Sequence, residues 1–85
     1  MSNNWVQDEE HSWHLPCNYD TINLRITSDL DEKKYRAILE ILPHRGVPLR
    51  QQVLWADDKD TLLKRLDDWM ENRDDPTEVI ETYLP

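Results

Sequence analysis

The hydrophobic and polar positions of this chain change period several times, and each change marks an element. Over residues 21–27, Ile22, Leu24 and Ile26 alternate with Thr21, Asn23, Arg25 and Thr27, the period of a strand with one apolar and one wet face. Ser28 and Asp29 then offer N-cap oxygens, Asp31 and Glu32 would occupy a first turn, and Tyr35, Ile38, Leu39 and Leu42 recur at helical spacing. That spacing predicts an amphipathic helix of about 13 residues, ended by Pro43, with Gly46 as the turn residue beyond it.

Residues 47–56 read as a second strand, with Leu49, Val53 and Trp55 on one face and Arg50 and Gln52 on the other. Leu54 breaks the alternation, and Pro48 confines the start to an edge or entry position. Asp57 or Asp58 caps the next helix, whose apolar stripe is Leu62, Leu66, Trp69 and Met70, with Leu63 at its margin. Asp75, Pro76 and Glu78 match an N-cap, an N1 proline and an N3 glutamate, so a short last helix should carry Val79, Ile80, Tyr83 and Leu84. Upstream, residues 12–15 are read as an edge strand that pairs with 21–27 through a turn at 16–20.

The strand, helix, strand order over 21–56 permits a right-handed parallel crossover. The expected fold is therefore α+β: a small two-layer domain whose two- or three-stranded sheet is covered on one face by two longer helices and a short C-terminal helix. Eighty-five residues without repeat or linker fit one domain, 1–85, of which 1–11 is read as an N-terminal arm. A hydrophobic content of 38% with four Trp supplies a modest core and separates the chain from the disordered class. Cys17 is the only cysteine and cannot form an intramolecular disulfide. No signal-peptide pattern opens the chain and no stretch reaches the roughly 20 apolar residues that span a bilayer, so a cytoplasmic protein is expected.

Charge sharpens the picture because it is segregated. Residues 1–20 carry four acids and no base, 21–56 four acids and six bases, and 57–85 ten acids and four bases, giving −4, +2 and −6 within a total of −8. Anionic ends select basic partners and disfavour direct contact with nucleic acid or an anionic membrane.

Catalytic signatures are absent. His11, His14 and Cys17 form a His-x2-His-x2-Cys run with the ligand types zinc prefers. An extended chain, however, points His14 away from the other two, and a fourth ligand would have to come from Asp20, His44 or water. Cys17 as a nucleophile would need positive surroundings, which this end of the chain lacks. No serine sits in a nucleophile-elbow context, and the single glycine excludes a phosphate-cradling loop. Asp57, Asp58 and Asp60 imitate the start of a calcium loop, but Leu62 stands where that loop requires glycine. No cofactor is expected.

On the helix that follows residue 58, Asp60, Asp67, Glu71 and Asp74 project within a sector about 60° wide, opposite the apolar stripe. Asp67 and Glu71 are separated along the axis by about 6 Å, comparable to the spacing of phosphates, and Lys64 interrupts the row. Such a row is read either as a solvated face or as a partner-binding face that stands in for nucleic acid. Trp5, outside any periodic segment, is read either as an exposed interface residue or as a side chain folded back over the sheet. The leading expectation is a small acidic, non-enzymatic module that regulates or inhibits a protein with a basic surface, such as a nucleic-acid-binding protein. Two alternatives are a structural subunit that self-associates, a homodimer being the simplest form, and a small metal protein using His11, His14 and Cys17.

Overall fold

The computed structural model describes residues 4–18 and 21–83. In chain order the elements are β1 (Val6–Glu9), β2 (Ser12–Leu15), β3 (Thr21–Asp29), β4 (Lys34–Leu42), β5 (Leu49–Ala56), α1 (Lys59–Glu71) and α2 (Pro76–Tyr83). The five strands form one sheet in the order β1-β2-β3-β4-β5, and each neighbouring pair is antiparallel. The α+β class stands, but the two- or three-stranded sheet, the longer helix over 28–42 and the parallel crossover do not.

The segment expected to be that helix is β4, and its start shows why. The oxygens expected to cap a helix instead build a hairpin turn: Asp29 Oδ1 accepts the amides of Asp31 at 3.0 Å and Glu32 at 3.1 Å. Lys33 then takes the left-handed conformation, φ 54°, which reverses the chain. Arg36 closes the turn by pairing with Asp29 at 3.4 Å and with Glu32. Beyond it, Tyr35, Ala37, Leu39 and Ile41 face the core, while Ile38 lies in register with Arg25 and Gln52 on the other face. With Ile38 and Leu42 on its otherwise polar outer face, the strand offers a helical stripe as well as a strand alternation.

Leu54 breaks the alternation of β5 because the ladder carries a bulge there. Ala37 pairs with Leu54 and the adjacent Ile38 with Gln52, so Val53 is the extra residue. The slip places Leu49, Leu54 and Ala56 on the inner face and turns Trp55 outward beside Arg36, correcting the shared face expected for Leu49, Val53 and Trp55. The short strand at 12–15 pairs with β3 as expected, through Trp13 with Leu24 and Leu15 with Ile22, but it is not the edge strand expected, because β1 pairs on its other side. Two residues of the connecting turn, Tyr19 and Asp20, lie outside the described residues. β1, on which no apolar alternation is written, pairs with β2 and forms the sheet edge.

Cross-strand rows carry the core. One runs Leu15, Ile22, Ile41, Leu49 and another Trp13, Leu24, Leu39. Against them α1 sets Leu62, Leu66, Trp69 and Met70, all buried, and α2 sets Val79. Full burial of a Leu contributes roughly 1.5–3 kcal/mol, which is why this stripe docks a helix of modest propensity. Asp58 caps α1, its carboxylate accepting from Thr61 N at 3.0 Å and Thr61 Oγ1 at 3.1 Å. Asp75 does the same for Thr77 N at the start of α2. Ile80 and Tyr83 of the last apolar stripe pack on the core, and Leu84 lies outside the described residues. Among the described residues no helix is long and apolar enough to cross a membrane.

Candidate functional site

The helices cover one face of the sheet, and the chemistry divides between three surfaces: the outer face of α1 and α2, the open face of the sheet, and a groove between α1 and the β1 edge.

On the helical layer Lys59, Arg65 and Arg73 are engaged in structure, and Lys64 is exposed. Lys59 pairs with Glu10 at 3.9 Å, Arg65 donates to the Trp55 carbonyl at 3.1 Å, and the Arg73 guanidinium lies 5.1 Å from the Trp69 ring centroid. The acids are differently placed. Asp58 and Asp75 cap helices, while Asp60, Asp68, Glu71, Glu78 and Glu81 are exposed or half-buried at the surface. Of the expected anionic row, Asp60, Asp67 and Glu71 belong to α1, with Asp67 half-buried. Asp74 does not extend the row, because α1 ends at Glu71 and Asn72 is its C-cap. Asp74 is half-buried in the link to α2, where its carbonyl accepts from Asn4 Nδ2 at 3.0 Å.

Trp5 is folded back rather than displayed. It is 7% exposed, lies 5.9 Å from Trp69 between ring centroids, and donates its indole N–H to the Arg73 carbonyl at 2.9 Å. Its part in any interface is therefore as a wall and not as a protruding side chain.

His11, His14 and Cys17 are not brought together. His11 sits at the β1–β2 turn, where its carbonyl accepts from Ile26 N at 2.9 Å and its Nδ1 is buried without a hydrogen-bond partner among the described residues. His14 points to the open sheet face and donates from Nδ1 to the Asp8 carboxylate at 2.7 and 2.9 Å. Cys17 packs against the core beyond β2. No group of three or more His, Cys, Asp or Glu among the described residues is arranged to hold a metal ion.

The open sheet face presents Arg25, Arg36, Arg50 and Glu40 among Asn23, Thr27 and Gln52, in cross-strand register. Trp55 lies there, 45% exposed, with the Lys34 ammonium 4.5 Å from its ring centroid. Much of the mildly basic middle of the sequence is therefore gathered on this face, away from the helical acids.

The groove has no counterpart among the sites expected from the sequence. It measures about 370 Å³ and is half open to solvent, with Trp13 and Gln7 on the sheet side and Leu63, Leu66 and Met70 on the helix side. Lys64 and Asp67 stand at its polar rim and Trp5 closes it. The signal in the sequence was Leu63, one position off the core stripe, and a tryptophan in a strand too short to bury it.

Compared with protein-family models, with curated proteins and with solved structures, the chain matches none.

Proposed function

We propose that this chain is a non-enzymatic protein-binding module that acts in the cytoplasm and regulates or inhibits a partner with a basic surface. The observation that supports this reading is the charge balance of the helical layer: α1 and α2 carry Asp60, Asp67, Asp68, Glu71, Glu78 and Glu81 against Lys59, Lys64 and Arg65, and of these bases Lys59 and Arg65 are engaged within the molecule. A predominantly anionic layer raises the encounter rate with a cationic partner and repels nucleic acid. Asp60, Asp67 and Glu71, at axial separations of about 10.5 Å and about 6 Å, would lie against groups that otherwise hold phosphates, so the partner class is a nucleic-acid-binding protein.

The test is an affinity capture from native lysate at low and high salt. Wild-type protein is expected to retain a basic protein that high salt releases, and a variant with Asp60→Lys, Asp67→Lys and Glu71→Lys is expected to lose it while melting within a few degrees of wild type. Equal capture by the two proteins would refute the reading.

A second reading, self-association, is favoured by the open sheet face, where Trp55 and Leu42 remain 45% and 39% exposed. Mass measured across a concentration series separates the two, since a salt-resistant dimer replaces the basic partner only in the second.

A further inference from the structure

We infer that the groove between α1 and β1 takes an extended peptide segment in which apolar residues alternate with lysine or arginine, added to the sheet as a sixth strand beside β1. The inference rests on the proposed binding of a basic partner and names where, and in what conformation, that partner is held.

Among the described residues β1 is an edge strand paired with β2 alone, and all four of its residues are exposed. The outer side of such a strand carries backbone donors and acceptors that can pair with another chain. Edges of this kind are usually covered or blunted; here α1 makes its main packing on β4 and β5, and a groove remains between the helix and the Gln7 and Trp13 side of β1 and β2. The helix nevertheless runs alongside that edge. Its first residue, Lys59, reaches Glu10 at the hairpin turn, and Trp69, near its end, stacks on Trp5 just before β1. A channel with a strand on one side and a helix on the other is the geometry in which peptides bind by strand addition. The main chain supplies affinity there, and a pocket for alternate side chains supplies selectivity.

The two faces of β1 dictate what alternates. Gln7 shares the inner face with Trp13, so a residue paired beside it points into the apolar groove between Trp13, Leu63 and Met70. Val6 and Glu9 share the outer face with His14 and Ser12, and Asp8 lies against His14. Residues of an added strand that point outward therefore meet Asp8 and Glu9, while the opposite charges of Lys64 and Asp67 at the groove rim leave the inward side without a net preference. Apolar inward and cationic outward is the pattern that satisfies both.

Charge also selects against the commonest competitor, a second copy of the chain. Two β1 edges paired with each other would set Asp8, Glu9 and Glu10 against the same residues, and like charges directly opposite destabilise a strand pair. A foreign basic segment meets no such cost.

The probe is a capped heptapeptide alternating lysine and leucine, titrated into the full chain and followed by amide chemical shifts. Two further versions carry N-methyl groups on the lysine amides or on the leucine amides. Because alternate residues of a strand point their N–H groups to opposite sides, one methylated version is expected to lose binding by about tenfold or more and the other to retain it. Shifts should concentrate on β1 and on Leu63, and Leu63→Lys, at a half-buried position outside the core, should weaken binding. A heptapeptide alternating glutamate and leucine should not bind.

Equal binding by both methylated versions, or shifts confined to the exposed face of α1, would overturn the inference while leaving the proposed function standing. Failure of the lysine peptide to bind, with salt-sensitive capture still present, would do the same. Absence of both defeats both. Concentration-dependent self-association that protects the β1 amides would assign the edge to a second copy and also overturn the inference.

Discussion

Replacing Trp5 with alanine tests the placement of the N-terminal segment more severely than any other single change. Trp5 is 7% exposed, stacks 5.9 Å from Trp69 and donates to the Arg73 carbonyl at 2.9 Å, so it ties the start of β1 to the far end of α1. Truncating a buried Trp to Ala costs about 3–5 kcal/mol once the cavity is included. Within that figure the aromatic pair is worth about 0.5–1.5 kcal/mol and the N–H bond about 1 kcal/mol. A domain of this length has a total stability of roughly 4–13 kcal/mol, so Trp5→Ala should remove about a quarter or more of it. The melting temperature should fall on the order of 12–40 °C, using about 4–8 °C per kcal/mol. Trp5→Phe keeps most of the packing but deletes the donor, and a loss of about 1–2 kcal/mol is expected. Urea and thermal unfolding followed by far-ultraviolet circular dichroism measure both, since Trp13, Trp55 and Trp69 complicate fluorescence. A loss below about 1 kcal/mol for Trp5→Ala would mean that Trp5 lies in solvent, and the packing of residues 4–9 on α1 would have to be abandoned.

Asp58→Ala removes the acceptor for both Thr61 N and Thr61 Oγ1 and should cost about 1 kcal/mol in urea unfolding. Lys33→Gly relieves a left-handed side chain at φ 54° and should leave stability unchanged or raise it by up to about 1 kcal/mol, whereas a clear loss would show that Lys33 makes a contact that matters. Gly46→Ala places its Cβ in ordinary contact with Pro43 Cγ at 3.8 Å, so only the backbone at φ 114° resists, and a loss of about 1 kcal/mol in thermal unfolding is expected.

What the sequence made legible, and what it hid, follows from which interactions are local. α1 and α2 could be read because their caps, Asp58 and Asp75, and their stripes lie within a few turns of each other. β3 could be read because it alternates. β4 could not, because its outer face carries Ile38 and Leu42 and because Asp29 uses the same oxygen-to-amide chemistry to make a hairpin turn that it would use to begin a helix. The β-branched Ile38 and Ile41 were the available hint. β1 is a strand only by virtue of pairing with β2, and nothing in Val6, Gln7, Asp8 and Glu9 announces it. The same locality governs the candidate sites. The acids of α1 were visible as a helical row, and Asp74 left it only because the helix stops three residues earlier. The groove joins Trp13 to Leu63 across 50 positions, which no periodicity records.

The strand order β1-β2-β3-β4-β5 has a consequence for how the chain is made. Every strand pairs with the one synthesised just before it, so the sheet can assemble hairpin by hairpin as the chain emerges, each step taking about 1–10 μs. The helices that seal it come last. Until the helices dock, an assembled sheet would hold Ile22, Leu24, Leu39 and Ile41 uncovered, so chain order places hairpin pairing ahead of burial of the inner face.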